Sequence, residues 1–175
     1  MKHPLSQFHF CPKCGSSRFE INNFKSKKCE ECGFVYYFNS SASTAIFMTD
    51  ENNRLLVARR AKEPAKGTLD LPGGFVDLYE TGEEAAKREV LEETGLQINK
   101  IQYLFSLPNV YVYSGFEVHT LDLFFQTQIA SSSKFCAHDD VAELFFISKE
   151  DIQLDLFGLT SIRKAVEIWL NNTHP

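Results

Sequence analysis

Three glutamates, Glu89, Glu92 and Glu93, stand at i, i+3 and i+4 in the run GEEAAKREVLEETGL. At about 100° per residue these positions share one face of a helix, while Val90, Leu91 and Thr94 turn away toward the body of the protein. Three carboxylates on one stripe repel one another. A hard, oxygen-seeking cation such as Mg²⁺ or Mn²⁺ would relieve that repulsion, and Mg²⁺ shares its shell readily with phosphates. Upstream, the Pro72-Gly73-Gly74 turn lets a bare backbone carbonyl approach the same place. A solvated surface helix has the same composition, so the acids alone leave both readings open.

A second set of chemistry-bearing residues lies near the N-terminus. Cys11/Cys14 and Cys29/Cys32 form two CxxC pairs, each followed by a glycine, Gly15 and Gly33. Four thiolates at this spacing suit a tetrahedral Zn²⁺, and the glycines suit the tight knuckles that aim the sulfurs inward. Four protein ligands leave no open position, which makes the site structural. His3 and His9 are bystanders on this reading, and Cys136 stands alone.

These residues need elements to hold them. Residues 1–38, with a Lys-rich link NNFKSKK and no clear hydrophobic core, read as a zinc ribbon that requires a metal staple. Residues 39–175 read as a larger domain. STAIFMTD and RLLVARR are strands flanking an ENN turn, and LDLPGGFVD begins as a strand and breaks at the glycines. Thr81 with Glu84 forms a capping box and Gly95 is a good C′ residue, so a helix spans about Gly82 to Thr94. IQYLFSL, VYVYSG, VHTLDLFFQTQIA and VAELFFIS read as further strands, and SSSKFCAHDD as a polar loop. Ile162, Ala165, Val166 and Trp169 make a core-facing stripe on a final helix. Strands mixed with two helices predict an α/β fold, a sandwich around a mixed sheet.

The net charge of −5 weighs against a protein that coats nucleic acid through bulk charge. No apolar run is long enough to span a bilayer and the N-terminus lacks a signal-peptide core, so a soluble cytoplasmic protein without membrane partners is expected.

Gly74, Glu80 and the run Arg88-Glu89-Val90-Leu91-Glu92-Glu93-Thr94-Gly95-Leu96 match GX5EX7REUXEEXGU, with U apolar, at every specified position. The chain thereby resembles the Nudix hydrolase family, and LLVARRAKEPAKGTLDLPGGFVD resembles the usual approach to this box, with Leu69 where a Trp is often found. The resemblance implies an α/β/α sandwich and Mg²⁺- or Mn²⁺-dependent hydrolysis of a pyrophosphate linkage in a nucleoside diphosphate derivative. It implies that Glu89, Glu92 and Glu93 ligate the divalent metal, that the Gly73 carbonyl adds a contact, and that Glu80 and Arg88 form a structural ion pair. Catalysis would fall to Glu92 and Glu93, with a late acid from HDDVAELFF. That stretch offers Asp139, Asp140 and Glu143, and Asp140, three residues before Glu143, is favoured as an extra ligand or base.

A zinc ribbon before such a domain is similar to the NADH pyrophosphatase branch. That branch carries an SQPWPFP-type motif after the box, where this chain has SLPNVYVYSG and agrees only at Ser106 and Pro108. ADP-ribose, NADH or a related dinucleotide are the expected substrates. Tyr111 and Tyr113, at period-two spacing, are candidate stacking platforms, and one of Arg59 and Arg60 is expected to face the cleft and bind phosphate. Members bearing a ribbon form homodimers, so a second copy is a possible partner, and the lysines of the ribbon leave contact with nucleic acid open. Some members of the family only bind nucleotides, as sensors, usually with a degraded box.

Overall fold

The structure is a computed structural model and describes residues 2–171. It divides into two compact units meeting at Ser40 and Ser41, two residues beyond the boundary read from composition.

In the first unit, β1 (Phe19–Asn23), β2 (Ser26–Cys29) and β3 (Val35–Tyr37) form an antiparallel meander. The Gly15 and Gly33 amides donate to the carbonyls of Cys11 and Cys29, closing each CxxCG knuckle, and both glycines have positive φ (76° and 72°). Sequence composition suggested no core here. The structure shows a small one, in which Phe19 packs with Cys11 and Cys29 under Phe34. Lys27 is nearly buried because its ammonium donates to the Phe8 carbonyl at 2.7 Å and its charge lies over the Phe19 ring.

The second unit is built on a mixed six-stranded sheet. Its strands are β4 (Ser41–Thr49), β5 (Leu55–Arg60), β6 (Leu69–Asp70), β7 (Gln102–Tyr113), β8 (Phe116–Gln128) and β9 (Val141–Ile147). The order is β6-β5-β4-β8-β7, with β9 beside β5. Only β4 and β8 run parallel. Both faces are covered, as the side-chain alternation along β4 records. Ala45 and Phe47 enter one apolar cluster with Val57, Phe124, Phe157 and the helix α2 (Thr160–Leu170). Ile46 and Met48 enter the other with Leu56, Phe125 and the helix α1 (Gly82–Thr94). This is the expected α/β/α sandwich. Ile162, Ala165 and Val166 are buried, and Trp169 stacks on Phe47 at 5.3 Å.

IQYLFSL and VYVYSG, read as separate strands, are one. β7 runs through Pro108 without a break. It is an edge strand, and an edge has no second ladder to which a proline must donate. A bulge between Tyr103 and Phe105 resets its register.

β4 changes neighbours along one edge. It pairs with β5 only at Met48 and Thr49. Below that point the segment 72–76 takes over: Ile46 donates to the Pro72 carbonyl at 3.0 Å, Thr44 to that of Gly74 at 2.7 Å, and Val76 to that of Ala42 at 3.0 Å. The glycine turn is thereby pinned to the sheet by main-chain hydrogen bonds.

Candidate active site

α1 begins and ends where its signals place it. The Thr81 hydroxyl accepts from the Glu84 amide and the Glu84 carboxylate accepts from the Thr81 amide, while Gly95 closes the C-terminus at φ 72° and donates to Leu91. Ala85, Ala86, Val90 and Thr94 are buried against the sheet. Leu91 was expected to join them. It is 49% exposed instead, because the buried arc centres between Ala86 and Val90 and ends at Thr94.

The same arc takes in Glu93, which is 8% exposed. Its Oε2 accepts from the Gly73 amide at 2.9 Å. Burial pushes the Glu93 carboxyl up to about 8; the Gly73 amide opposes this, and the charges of Asp70, Glu89 and Asp140 add to it. Burial also raises Glu89, against the pull of Arg88. The Glu89 carboxylate lies so close to Gly74 that a Cβ there would stand 2.5 Å from it. Glu92 is half exposed.

Arg88 binds this face together. Its Nε and Nη2 donate to the two oxygens of Glu80, each at 2.9 Å, and Nη2 also donates to the Phe75 carbonyl at 2.9 Å. Nη1 donates to Glu89 at 2.8 Å and Glu92 at 3.1 Å. Glu80 also accepts from the Asp77 amide, and Arg88 above all holds its carboxyl below the usual range. One guanidinium thus ties the helix to the loop after the glycine turn. With Arg88 between Glu89 and Glu92 and Glu93 turned to Gly73, the three glutamates do not converge as the cysteines do: among the described residues, only the cysteines put three or more ligand atoms within 4.8 Å of one another. The donors on this face are all oxygens, the set that Mg²⁺ and Mn²⁺ take.

A cavity of about 180 Å³ opens beside Glu93 and the glycine turn. Arg60, Tyr111 and Asp140 line it, and Arg59 and Tyr113 do not. Of the arginine pair, Arg59 points outward, bonded to Glu143 at 3.1 Å and to the Gly67 carbonyl, with its guanidinium over Phe145. Arg60 faces the cavity but is already engaged by Asp70 at 2.5 Å and by the Pro64 carbonyl at 2.7 Å. Tyr113 shares the face of Tyr111 but sits at the hairpin tip, paired with Phe116 and 57% exposed. Asp140 stands at the rim, ion-paired with Lys62.

Several lining residues carry no signature in the motif. Asp122 on β8 is 5% exposed and accepts from the hydroxyls of Ser43, Thr120 (2.5 Å) and Ser161 (2.5 Å). Asp70, raised by burial in spite of Arg60, and Asn109 lie nearby. The one signal available was parity: in VHTLDLFF, Asp122 falls on the face of Thr120 and Phe124.

In the first unit the four sulfurs cluster. Cys11 and Cys32 Sγ are 3.8 Å apart and Cys14 and Cys29 Sγ 3.6 Å. Zn–S bonds of ~2.3 Å in a tetrahedron put sulfurs about 3.8 Å apart, so the spacing fits a thiophilic tetrahedral ion. The backbone amides of Cys32 and then Glu31 pull the Cys29 thiol down to about 7, overcoming its burial. Cys14 is pushed up to about 12 by the surrounding sulfurs and burial, against the Ser16 amide. His3 bonds the Asn23 carbonyl and is no member of the cluster.

An intact box on the first helix of an α/β/α sandwich, facing a glycine turn and a cavity, defines a class. Residues 39–167 match the NUDIX domain, and the chain belongs to the Nudix family. Among curated proteins it is similar to the NAD-capped RNA hydrolase NudC of Vibrio parahaemolyticus serotype O3:K6, with 32% identity over 106 residues, covering 61% of this chain and 40% of that protein. NudC of Haemophilus influenzae strain PittGG is 32% identical over 109 residues, covering 62% and 41%. The matches span about two fifths of the length of these relatives. A Nudix hydrolase structure from Nitrosomonas europaea superposes with a TM-score of 0.70 at 20% identity, covering 93% of this chain and 90% of that one. The Nudix domain of Shewanella oneidensis NrtR complexed with ADP ribose gives 0.63 at 15%, covering 78% and 90%. At these identities the two structures speak for the fold.

Proposed function

We propose that the chain is a metal-dependent pyrophosphohydrolase that cleaves the diphosphate linkage of ADP-ribose, NADH or a related dinucleotide, in the cytoplasm. The observation that carries this is the meeting of Glu93, the Gly73-Gly74 turn and Asp140 at one cavity, beside Glu89 and Glu92 on the same helix. Glu89, Glu92, Glu93 and the Gly73 carbonyl would hold Mg²⁺ or Mn²⁺, which supplies charge neutralisation at the phosphate oxygens and an acidified water. Glu80 and Arg88 fix the helix against the loop. Asp140 at the rim and Glu93 beside the glycine turn would be the groups to take a proton from an attacking water. Arg60 and Tyr111 contribute to the wall that receives the substrate. Cys11, Cys14, Cys29 and Cys32 would hold a structural Zn²⁺.

The test is turnover of NADH, ADP-ribose, a diadenosine polyphosphate and a nucleoside triphosphate with Mg²⁺ or Mn²⁺, with products identified. Glu92→Gln and Glu93→Gln should each lower kcat at least ~100-fold with the fold unchanged. Full activity in either variant removes these residues from the mechanism.

A second reading has its own observation. The first unit carries six basic against three acidic side chains in a chain that is acidic overall, and exposes Phe24, Tyr36 and Tyr37. With the name of the curated relatives, this supports a nucleotide cap on RNA as the substrate, the strand being gripped by charge and stacking. A capped oligoribonucleotide cut no better than free NAD argues against it.

A further inference from the structure

Among the described residues, Asp122 is held by a set of hydroxyls rather than by a cation. A carboxylate only accepts, so Ser43, Thr120 and Ser161 must each donate their single O–H hydrogen to it. Oδ1 takes two of them and Oδ2 one, which leaves an open lone pair on Oδ2. With their hydrogens committed, the hydroxyl oxygens of Ser43 and Thr120 in the cavity wall can only accept. Arg60, the single cation among the described residues lining the cavity, is occupied by Asp70 and Pro64. Four acids line the same space: Asp70, Glu93, Asp122 and Asp140.

We propose that the wall centred on Asp122 is the specificity determinant of the cleft: it selects substrates whose diphosphate carries a neutral, hydroxyl-rich group such as a pentose, and rejects those that extend as further phosphates. This rests on the hydrolase reading and narrows it. Sugar hydroxyls can donate to the acceptors that Asp122, Ser43 and Thr120 gather on one wall, which an ionised phosphate with no hydrogen to give cannot do. A third phosphate would bring further negative charge against these four acids, where Arg60, the one cationic side chain among the described lining residues, is already paired with Asp70.

The experiment measures Kd by calorimetry for ADP-ribose, the β-methyl ester of ADP and ATP. It uses Glu92→Gln protein in Mg²⁺, so that turnover does not intrude. All three ligands share the adenosine diphosphate, and they differ in the group attached to its β-phosphate. ADP-ribose should bind at least ~100-fold more tightly than the methyl ester, a modest part of what a site built around substrate hydroxyls can discriminate. ATP should bind no better than the methyl ester. Asp122→Asn, which replaces an acceptor by a donor, should bring the ADP-ribose to methyl-ester ratio below ~10. Thr120→Val, with Asp122 kept, should narrow it by a smaller factor, and circular dichroism confirms that each variant is folded. Equal affinities, or ATP the tightest ligand, overturn the proposal on the Asp122-bearing protein alone, whatever the variants do. Turnover of the same compounds by the unsubstituted chain separates the two readings. Preference without cleavage sinks the hydrolase and keeps this inference, and cleavage without preference does the reverse.

Discussion

Gly73 and Gly74 are adjacent, yet their replacement by alanine should fail in different ways. At Gly73 the backbone has φ of 151°, and a Cβ would stand 2.1 Å from the Thr44 carbonyl oxygen and 2.8 Å from the Ala45 Cα. Both obstacles are main chain in β4, so neither can swing aside. Relief means parting the 72–74 segment from β4 and losing the Ile46–Pro72 and Thr44–Gly74 hydrogen bonds. Two bonds at about 1 kcal/mol each, with 1–3 kcal/mol of backbone strain, give roughly 4 kcal/mol. At about 3 °C per kcal/mol for a chain of this size, Gly73→Ala should melt ~10 °C lower, with or without a divalent ion. At Gly74 the obstacle is the Glu89 carboxylate at 2.5 Å, the far end of a flexible side chain. It can rotate away at the cost of its bond to Arg88, so Gly74→Ala should melt within about 3 °C of the parent. Its loss should appear in Mn²⁺ affinity, weakened ~10- to 100-fold if Glu89 is the ligand proposed above. Calorimetric melts in EDTA and Mn²⁺ titration by electron paramagnetic resonance read the two effects. A Gly73→Ala protein that melts with the parent, or a Gly74→Ala protein that binds Mn²⁺ normally, refutes the reasoning.

Arg88→Ala removes the group that joins Glu80, Glu89, Glu92 and the Phe75 carbonyl; urea titration should show a loss of about 2 kcal/mol, and Arg88→Lys should recover only part of it because one ammonium cannot span the set. In the first unit, Cys14→Ser should lower bound zinc below about one ion per chain, and a chelator should speed amide exchange across Phe19–Cys29 while leaving α1 protected. Exchange that ignores the chelator would show that the sulfurs do not hold the unit together. Asp50 supplies a pH dependence. Burial opposes its charge, but the Arg54 amide and side chain and the Asn52 amide outweigh burial and hold its carboxyl below the usual range. The stability this contributes is complete above the unfolded pKa of about 3.9 and is lost as pH falls through the lower folded value. The gap in melting temperature between the parent and Asp50→Asn should therefore be open at pH 7 and close in acid; a gap that widens in acid contradicts the sign.

α1 was legible to the residue because its signals are local: a capping box at Thr81 and a C′ glycine at Gly95. The box residues were legible for the same reason, since one turn of helix and one glycine turn fix their neighbourhood. What the sequence could not carry was which side chains reach the cavity. Arg59 and Arg60 alternate across β5, and the choice between them was made by Glu143 on β9, far off in the chain, and by Asp70 on β6, across a loop. Tyr111 and Tyr113 share a face, but the face runs past the end of the cavity before it reaches Tyr113. Asp122 was passed over because it sits in an apolar strand, and its partners come from β4, β8 and α2. Leu91 shows the limit of a face drawn by exclusion: turning away from three glutamates did not mean turning inward.

The change of neighbours along β4 has a wider consequence. The cleft exists because two backbones part company, with β5 leaving β4 above and the glycine segment replacing it below. Its frame is main chain, and side chains only upholster it. Asn109, Tyr111, Thr120 and Asp122 can then be exchanged over evolutionary time without collapsing the space they surround, provided their hydrogen bonds are kept or dropped in pairs. On such a scaffold, under the proposed reading, the cut would be fixed by one helix and one turn, and the choice of what is cut would be left to vary separately.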